Sequence, residues 1–181
     1  MELLIRHGDL VLRPWSATDR DVVDDIVASS RYELEGWLPG LVSELNDFES
    51  FVAGGVTSAR NETGWRFCVE AKGIAVGQCS IEAKDDDAAE IGYWIRSDRA
   101  NQGIATKAIR ALLAAAVDHG FVMFSIHCDE GNVRSAAVAK KLGFTHVRTV
   151  DLDPTLPGTN VQTRREMTWT LSVQAARTET G

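Results

Sequence analysis

The sequence predicts an α/β (α+β) domain built on one mixed central sheet, and three observations predict it. Residues 65–71, 74–83 and 88–96 alternate apolar with polar side chains and are separated by Lys72-Gly73 and Asp85-Asp86-Asp87, the pattern of an antiparallel meander. Residues 88–128 then read strand, helix, strand, which requires a parallel pair joined by a right-handed crossover. Two segments of helical patterning precede the meander, so helices must pack on the sheet.

Each element follows in order. Residues 10–15 read as a first strand stopped by Pro14. Ser16 or Thr18 can cap a helix running to about Ser30, with Asp19 and Asp21 in its first turn and Val22, Val23, Ile26 and Val27 on its buried face. Residues 32–45, with Trp37, Leu38, Pro39 and Gly40, read as a loop or broken helix. Asn46 is then a cap for a second helix over 47–58, and 60–64 is a polar turn. After the meander, 104–119 is a helix rich in Ala and Leu and ended by Gly120. Residues 122–128 form a strand and 133–142 a helix ended by Gly143. Residues 144–151 and 162–171 are two last strands around a loop holding Pro154 and Pro157. The expected organisation is one domain over 1–173 and a frayed tail over 174–181.

Composition excludes several classes. No apolar run approaches the ~20 residues of a membrane span. The first residues meet charge too soon for a signal peptide, so a cytoplasmic protein with no membrane partner is expected. Cys68, Cys79 and Cys128 are an odd, sparse set without a CxxC pair, which suits buried thiols rather than disulfides or a metal site. A net charge of −7 argues against a nucleic-acid partner, which needs a basic stripe.

The chemistry concentrates where a strand, residues 91–96, runs through a loop into a helix at Gln102-Gly103-Ile104-Ala105-Thr106. Gly103 and Ala105 have almost no side chain, so a ligand can approach the backbone closely. The amides from Gln102 to Thr106 and the helix dipole together make an anion site, to which Thr106 can add a hydroxyl. A second block, Asn132-Val133-Arg134-Ser135 followed by Leu142-Gly143-Phe144, opens the next helix after the next parallel strand, and Asn132 is a natural cap. Two helix N-termini after adjacent parallel strands face one crevice, where open α/β sheets bind ligands.

With Glu90-Ile91-Gly92-Tyr93-Trp94-Ile95 ahead of them, in this order and spacing, these blocks resemble the GNAT superfamily of N-acetyltransferases, and within it the RimJ/RimL-like branch that acts on ribosomal proteins. The resemblance runs from Leu10-Val11-Leu12-Arg13-Pro14 to Met167-Thr168-Trp169. It implies a GNAT-like fold with a splayed parallel pair, and acetyl-CoA (coenzyme A) as cofactor. The pyrophosphate would lie on Gln102, Gly103, Ile104, Ala105 and Thr106. The pantetheine would lie along the backbone of Ile95 and Arg96, with Asn132 on its other side. The family's phosphate-loop pattern, Q/R-x-x-G-x-G/A, is met at Gly103 and Ala105 but begins here with Ala100, Arg99 being one place early, so the cradle works through its backbone. The tyrosine that many relatives place seven positions after the asparagine is Ala139 here, and Ser135 becomes the candidate that protonates the leaving thiolate and also contacts the cofactor.

The implied reaction is direct attack of a primary amine on the thioester. At neutral pH an α-amino group is only about a tenth unprotonated, so a base is needed. Glu90, on the same strand face as Gly92 and Trp94, is the candidate, with an ordered water as the other option. The acceptor wall falls to the first two helices and their loop: Tyr32, Glu33, Glu35, Trp37 and Leu38, with Trp94 on the facing strand, an aromatic beside carboxylates being suited to a cationic amine. The 154–157 loop offers another wall, and His7, His119, His127 and His146 read as structural or surface residues. The expected acceptor is a protein N-terminus or a small amine such as an antibiotic, polyamine or amino acid, and the branch allows a homodimer. A non-catalytic acyl-CoA sensor is the alternative, suggested by the missing tyrosine. A nucleotide-binding domain is disfavoured, because no Walker lysine follows the glycines.

Overall fold

Alternating apolar residues pair into one eight-stranded sheet in the computed structural model, which describes residues 1, 4–38, 40–153 and 163–173. The strands are β1 (Ile5–His7), β2 (Leu10–Pro14), β3 (Gly64–Ala71), β4 (Ile74–Ala83), β5 (Ala88–Ile95), β6 (Met123–Asp129), β7 (Thr145–Asp151) and β8 (Arg165–Ser172). Their spatial order is β1-β2-β3-β4-β5-β6-β8-β7. Every neighbouring pair is antiparallel except β5 with β6. The helices are α1 (Arg20–Trp37), α2 (Leu41–Asn46), α3 (Phe48–Arg60), α4 (Ile104–His119) and α5 (Val133–Lys141).

Strand side chains alternate between faces, so each strand supplies two cores. On one face Leu12, Phe67, Val69, Ile81, Ile91, Phe124 and Ile126 pack with Ile109, Leu112 and Ala116 of α4 and with Ala139 of α5. On the other, Cys68, Ala75 and Trp94 pack with Val23, Ile26, Val27 and Leu34 of α1, Val42 and Leu45 of α2, and Phe48 and Phe51 of α3. Trp15 stacks on Trp94 at 6.5 Å and meets Phe48 edge-on at 5.9 Å. No helix among the described residues is long and apolar enough to cross a membrane.

The structure departs from the expected elements in four places. Residues 5–7 form a strand that pairs Ile5 with Leu12; it is only three residues long and buries one of them, too little to show as a period. The first helix continues past Ser30 to Trp37, because Ile26, Ser30 and Leu34 prolong one buried stripe at intervals of four. Of the two alternatives for residues 32–45, the broken helix is the one observed: α1 runs to Trp37 and α2 begins at Leu41. Asn46 closes α2, and Asp47 caps α3 by accepting from the Ser50 amide. Ser16 caps a single 3-10 turn instead of α1, in a reciprocal box with Asp19. Pro39, the 154–157 loop and the 174–181 tail lie outside the described residues, as does the expected start of the last strand at Gln162.

Candidate active site

The parallel pair holds together for three residues only. Ala88, Ala89 and Glu90 pair with Met123, Phe124 and Ser125, and beyond them β5 and β6 diverge. Glycine and a bulge sit beside this opening. The β3–β4 register shifts after Val69, leaving Val76 as an extra residue on β4, and a bulge adds local twist. A side chain at Gly77 would collide with the Trp94 carbonyl oxygen, so only glycine lets β4 approach β5 this closely. The Arg96 amide donates to the Val76 carbonyl at 2.8 Å. Alternation then turns the amide and carbonyl of Ile95 toward the gap. Of the two predicted pantetheine contacts, Ile95 thus has free backbone groups on the open edge, whereas the Arg96 amide is committed to β4.

At one rim of the gap stands the N-terminus of α4. Gly103 caps it with φ +74°, a left-handed conformation that favours glycine, and no side chain caps it. The first-turn amides of Ile104, Ala105 and Thr106 have no intrahelical acceptor. That turn holds no acidic residue, and a Cβ at Gly103 would meet nothing within 4 Å. Gln102 and Gly103 are exposed, Ala105 and Thr106 half-buried, and the Ile104 side chain anchors the turn in the core. Converging amides, a helix dipole and open space fit a polyphosphate. The loop before them is tied to α1, since the Ser97 amide donates to Ser30 Oγ at 2.9 Å and the Arg96 guanidinium pairs with Asp25 at 2.9 Å and Asp98 at 2.6 Å.

The opposite rim is α5. Asn132 Oδ1 accepts from the Ser135 amide at 3.1 Å, so its carbonyl serves as the helix cap, and its NH2 makes no hydrogen bond among the described residues. Ser135 Oγ lies 2.8 Å from the Tyr93 hydroxyl, which also donates to the Ser135 carbonyl at 3.2 Å. This hydroxyl pair bridges β5 and α5 where sheet pairing has been lost. Burial pushes the Tyr93 phenol well above the ordinary tyrosine range, with the Ser135 bond pulling weakly the other way, so it stays protonated. Burial likewise raises the Cys128 thiol, opposed by Ser135 and Trp169. Ala139 is fully buried, which accounts for the small residue there.

On the face that carries α1 to α3 the gap opens into a crevice of about 370 Å³. Trp37 and Leu38 form one wall, Gln78, Gly92 and Trp94 the floor, and His127 and Asp129 the far wall. Among the described residues its lining contains Glu44, Asp129 and Glu166 and no lysine or arginine, which favours a cationic guest. The Trp94 indole N–H is buried with no partner among the described residues, while the Trp15 indole donates to Gln78 at 2.9 Å. Asp129 accepts from the Gly131 and Thr163 amides at 2.7 and 3.0 Å and from the Thr163 hydroxyl at 2.9 Å, pinning the entry to β8 beside the crevice.

The structure therefore brings Trp37 and Trp94 together and leaves other expected residues aside. Glu35 pairs with Arg31 at 2.9 Å on the solvent side of α1, Tyr32 is exposed, and Glu33 is not part of the crevice lining. Glu90 shares the strand face of Gly92 and Trp94 but sits at the closed end of the parallel pair, held by Lys84 at 3.0 Å, and does not line the crevice.

Sequence reasoning passed over Tyr93, His127 and Glu166. His127 Nδ1 lies 3.3 Å from Glu166 Oε1 and 3.4 Å from Thr168 Oγ1, and its Nε2 makes no hydrogen bond among the described residues. The available signal was His127-x-Asp129, two polar residues on one face of a strand that borders the gap.

Residues 9–145 match the family model of the acetyltransferase (GNAT) domain. No curated protein sequence matches the chain. Among solved structures, RimL, the ribosomal L7/L12 alpha-N-protein acetyltransferase in complex with coenzyme A disulfide-bonded to a cysteine, is similar at 22% identity and a TM-score of 0.83, covering 95% of this chain and 99% of its own. RimJ of Mycobacterium smegmatis in complex with CoA-disulfide is similar at 22% identity and a TM-score of 0.81, with 96% and 88% covered. The microcin C7 self-immunity acetyltransferase MccE in complex with acetyl-CoA and AMP is similar at 22% identity and a TM-score of 0.79, with 92% and 94% covered. At these identities the structural likeness establishes the fold.

Proposed function

The chain belongs to the acetyltransferase (GNAT) domain family, and from that premise we propose that it transfers acetyl from acetyl-CoA to a primary amine by direct attack. The observation that carries this reading is the opening between β5 and β6 after Glu90, with an uncapped helix N-terminus on one rim and a hydroxyl pair on the other. Relatives solved with coenzyme A or acetyl-CoA support the choice of cofactor.

When bound, acetyl-CoA supplies an activated acyl carbon and a thiolate leaving group. The amides of Ile104, Ala105 and Thr106 hold the pyrophosphate, and the Ile95 backbone orders the arm that runs into the gap. The Ile95 amide also offers a donor to charge that develops on the acyl oxygen. Ser135 Oγ donates toward the departing sulfur, and Tyr93, protonated and 2.8 Å away, sets the direction of that donation. Trp37 and Trp94 offer aromatic surface to the incoming amine, and the carboxylates around them offer charge. The acceptor is a protein N-terminus or a small cationic amine, both of which suit an anionic crevice.

The test compares the wild type with two substitutions at one backbone position. Gly103→Ala strains a left-handed residue but fills only open space, and is expected to weaken acetyl-CoA binding modestly. Gly103→Glu adds bulk and a like charge at the phosphate position, and is expected to abolish both calorimetric binding and transfer. Unchanged acetyl-CoA affinity in Gly103→Glu would remove the cradle. Tight binding by wild type with no product from any amine would favour an acyl-CoA sensor.

A further inference from the structure

We propose that His127 is the general base of the transfer, with Glu166 as the residue that positions it; the proposal rests on the acetyl-transfer reading above. Residue alternation on β6 places His127 and Asp129 on the crevice face, opposite Gly92 and Trp94 of β5. The Nδ1 partner is a carboxylate, 3.3 Å away on β8, and a carboxylate only accepts. Nδ1 therefore carries the proton, and Nε2, which has no bond among the described residues, presents its lone pair to the crevice. The Thr168 hydroxyl, 3.4 Å from the same Nδ1 and itself a hydrogen-bond acceptor from Arg148 at 3.3 Å, is a second contact at that nitrogen. A base oriented by a third group in this way holds the correct tautomer and supports the imidazolium that forms.

The charged groups around the ring agree with that role. Glu166 faces it from β8, Asp129 from its own strand, and Glu44 from α2 lines the same crevice. Arg148 on β7 is turned to Thr168. Glu90 is the competing base, but it is paired with Lys84 at 3.0 Å and lies outside the crevice lining.

An acceptor arriving as an ammonium gives one proton to His127 Nε2, and its nitrogen lone pair is freed. The C–N bond forms as the C–S bond breaks; Ser135 gives its hydroxyl proton to the thiolate, and the second nitrogen proton, lost on amide formation, restores it. One proton in net is released to water from His127.

Three measurements test the assignment. In the ligand-free protein, nitrogen NMR of the imidazole is expected to show the Nδ1–H tautomer in wild type and loss of that preference in Glu166→Gln; a wild-type ring protonated at Nε2 would overturn the proposal, whether or not any acceptor is known. With acetyl-CoA and an accepted amine, His127→Gln is expected to lower kcat by about 100-fold or more at unchanged acetyl-CoA affinity, and to lose the acidic limb of the kcat/KM profile. His127→Ala is expected to regain activity when imidazole is added, which a purely structural residue would not do. Glu166→Gln is expected to fall between, and Glu90→Gln to stay near wild type. A wild-type rate and pH profile in His127→Gln, or a loss confined to Glu90→Gln, would overturn the proposal. Failure of wild type to bind acetyl-CoA would instead refute the reading on which it rests.

Discussion

At the scale of single residues, one hydroxyl pair changes the reading of the cofactor side. Position 139 lacks the tyrosine expected by resemblance, and Ser135 alone is a poor proton donor to a thiolate. Tyr93 supplies a phenol from across the gap at 2.8 Å. If it acts by aiming Ser135, then Tyr93→Phe and Ser135→Ala each lower kcat while coenzyme A affinity holds. The double variant is then no slower than Ser135→Ala, so the cycle is strongly non-additive. Multiplicative losses in the double variant would separate the two residues. Tyr93 was visible in the sequence only as a letter in a strand motif. Its partner lies 42 residues away, and only the divergence of β5 and β6 brings them together. His127 was likewise present but unreadable, because its carboxylate is on β8, 39 residues on.

At the scale of elements, the glycine-punctuated second half was legible and the first half less so. Residues 104–119 match α4, since an Ala- and Leu-rich run ending at Gly120 satisfies propensity, periodicity and cap together. The end of α1 was not legible. The expected helix ends at about Ser30, yet Ser30 is buried and its hydroxyl accepts from the Ser97 amide, a tertiary contact that no local pattern encodes. Entry to α1 rests on a more local device. Arg13 of β2 pairs with Asp19 at 2.8 Å, and Asp19 closes the box with the Ser16 amide. Burial alone would raise the Asp19 carboxyl; the Arg13 bond, the Ser16 amide and the Arg13 charge outweigh it and hold the carboxyl below its usual range. A carboxyl depressed on folding stabilises above its unfolded pKa, and that contribution disappears as pH falls through the folded value. Asp19→Asn is therefore expected to cost about 2–4 kcal/mol in denaturant melts at neutral pH. The gap to wild type should close as pH drops below about 4. A gap that persists in acid would show that the charge is not what matters.

At the scale of the whole molecule, the mixed sheet, its parallel pair and its crossover were legible from period and order. Strand β1 and the placement of β8 between β6 and β7 were not, because no local pattern encodes which strand is inserted. In the proposed reaction the two faces of the sheet take separate tasks. Helices α4 and α5 bring amides and Ser135, and strand β5 brings Tyr93, to the cofactor side. Helices α1 and α2 bring Trp37 and Glu44 to the acceptor side, where the lining carries carboxylates and no cation. The Ser30–Ser97 and Asp25–Arg96 contacts join the sides, so the helix that forms the acceptor wall also braces the cofactor loop. Acetyl transfer requires chemistry across that junction. The direct measurement is incubation of the wild-type protein with acetyl-CoA and a panel of α-amino peptides, polyamines and other small amines, reading acceptor mass and free thiol together. The expected result is a gain of one acetyl group on a primary amine with an equal amount of thiol released. Thiol release without an acylated amine, or bound acetyl-CoA left intact across the panel, would contradict it.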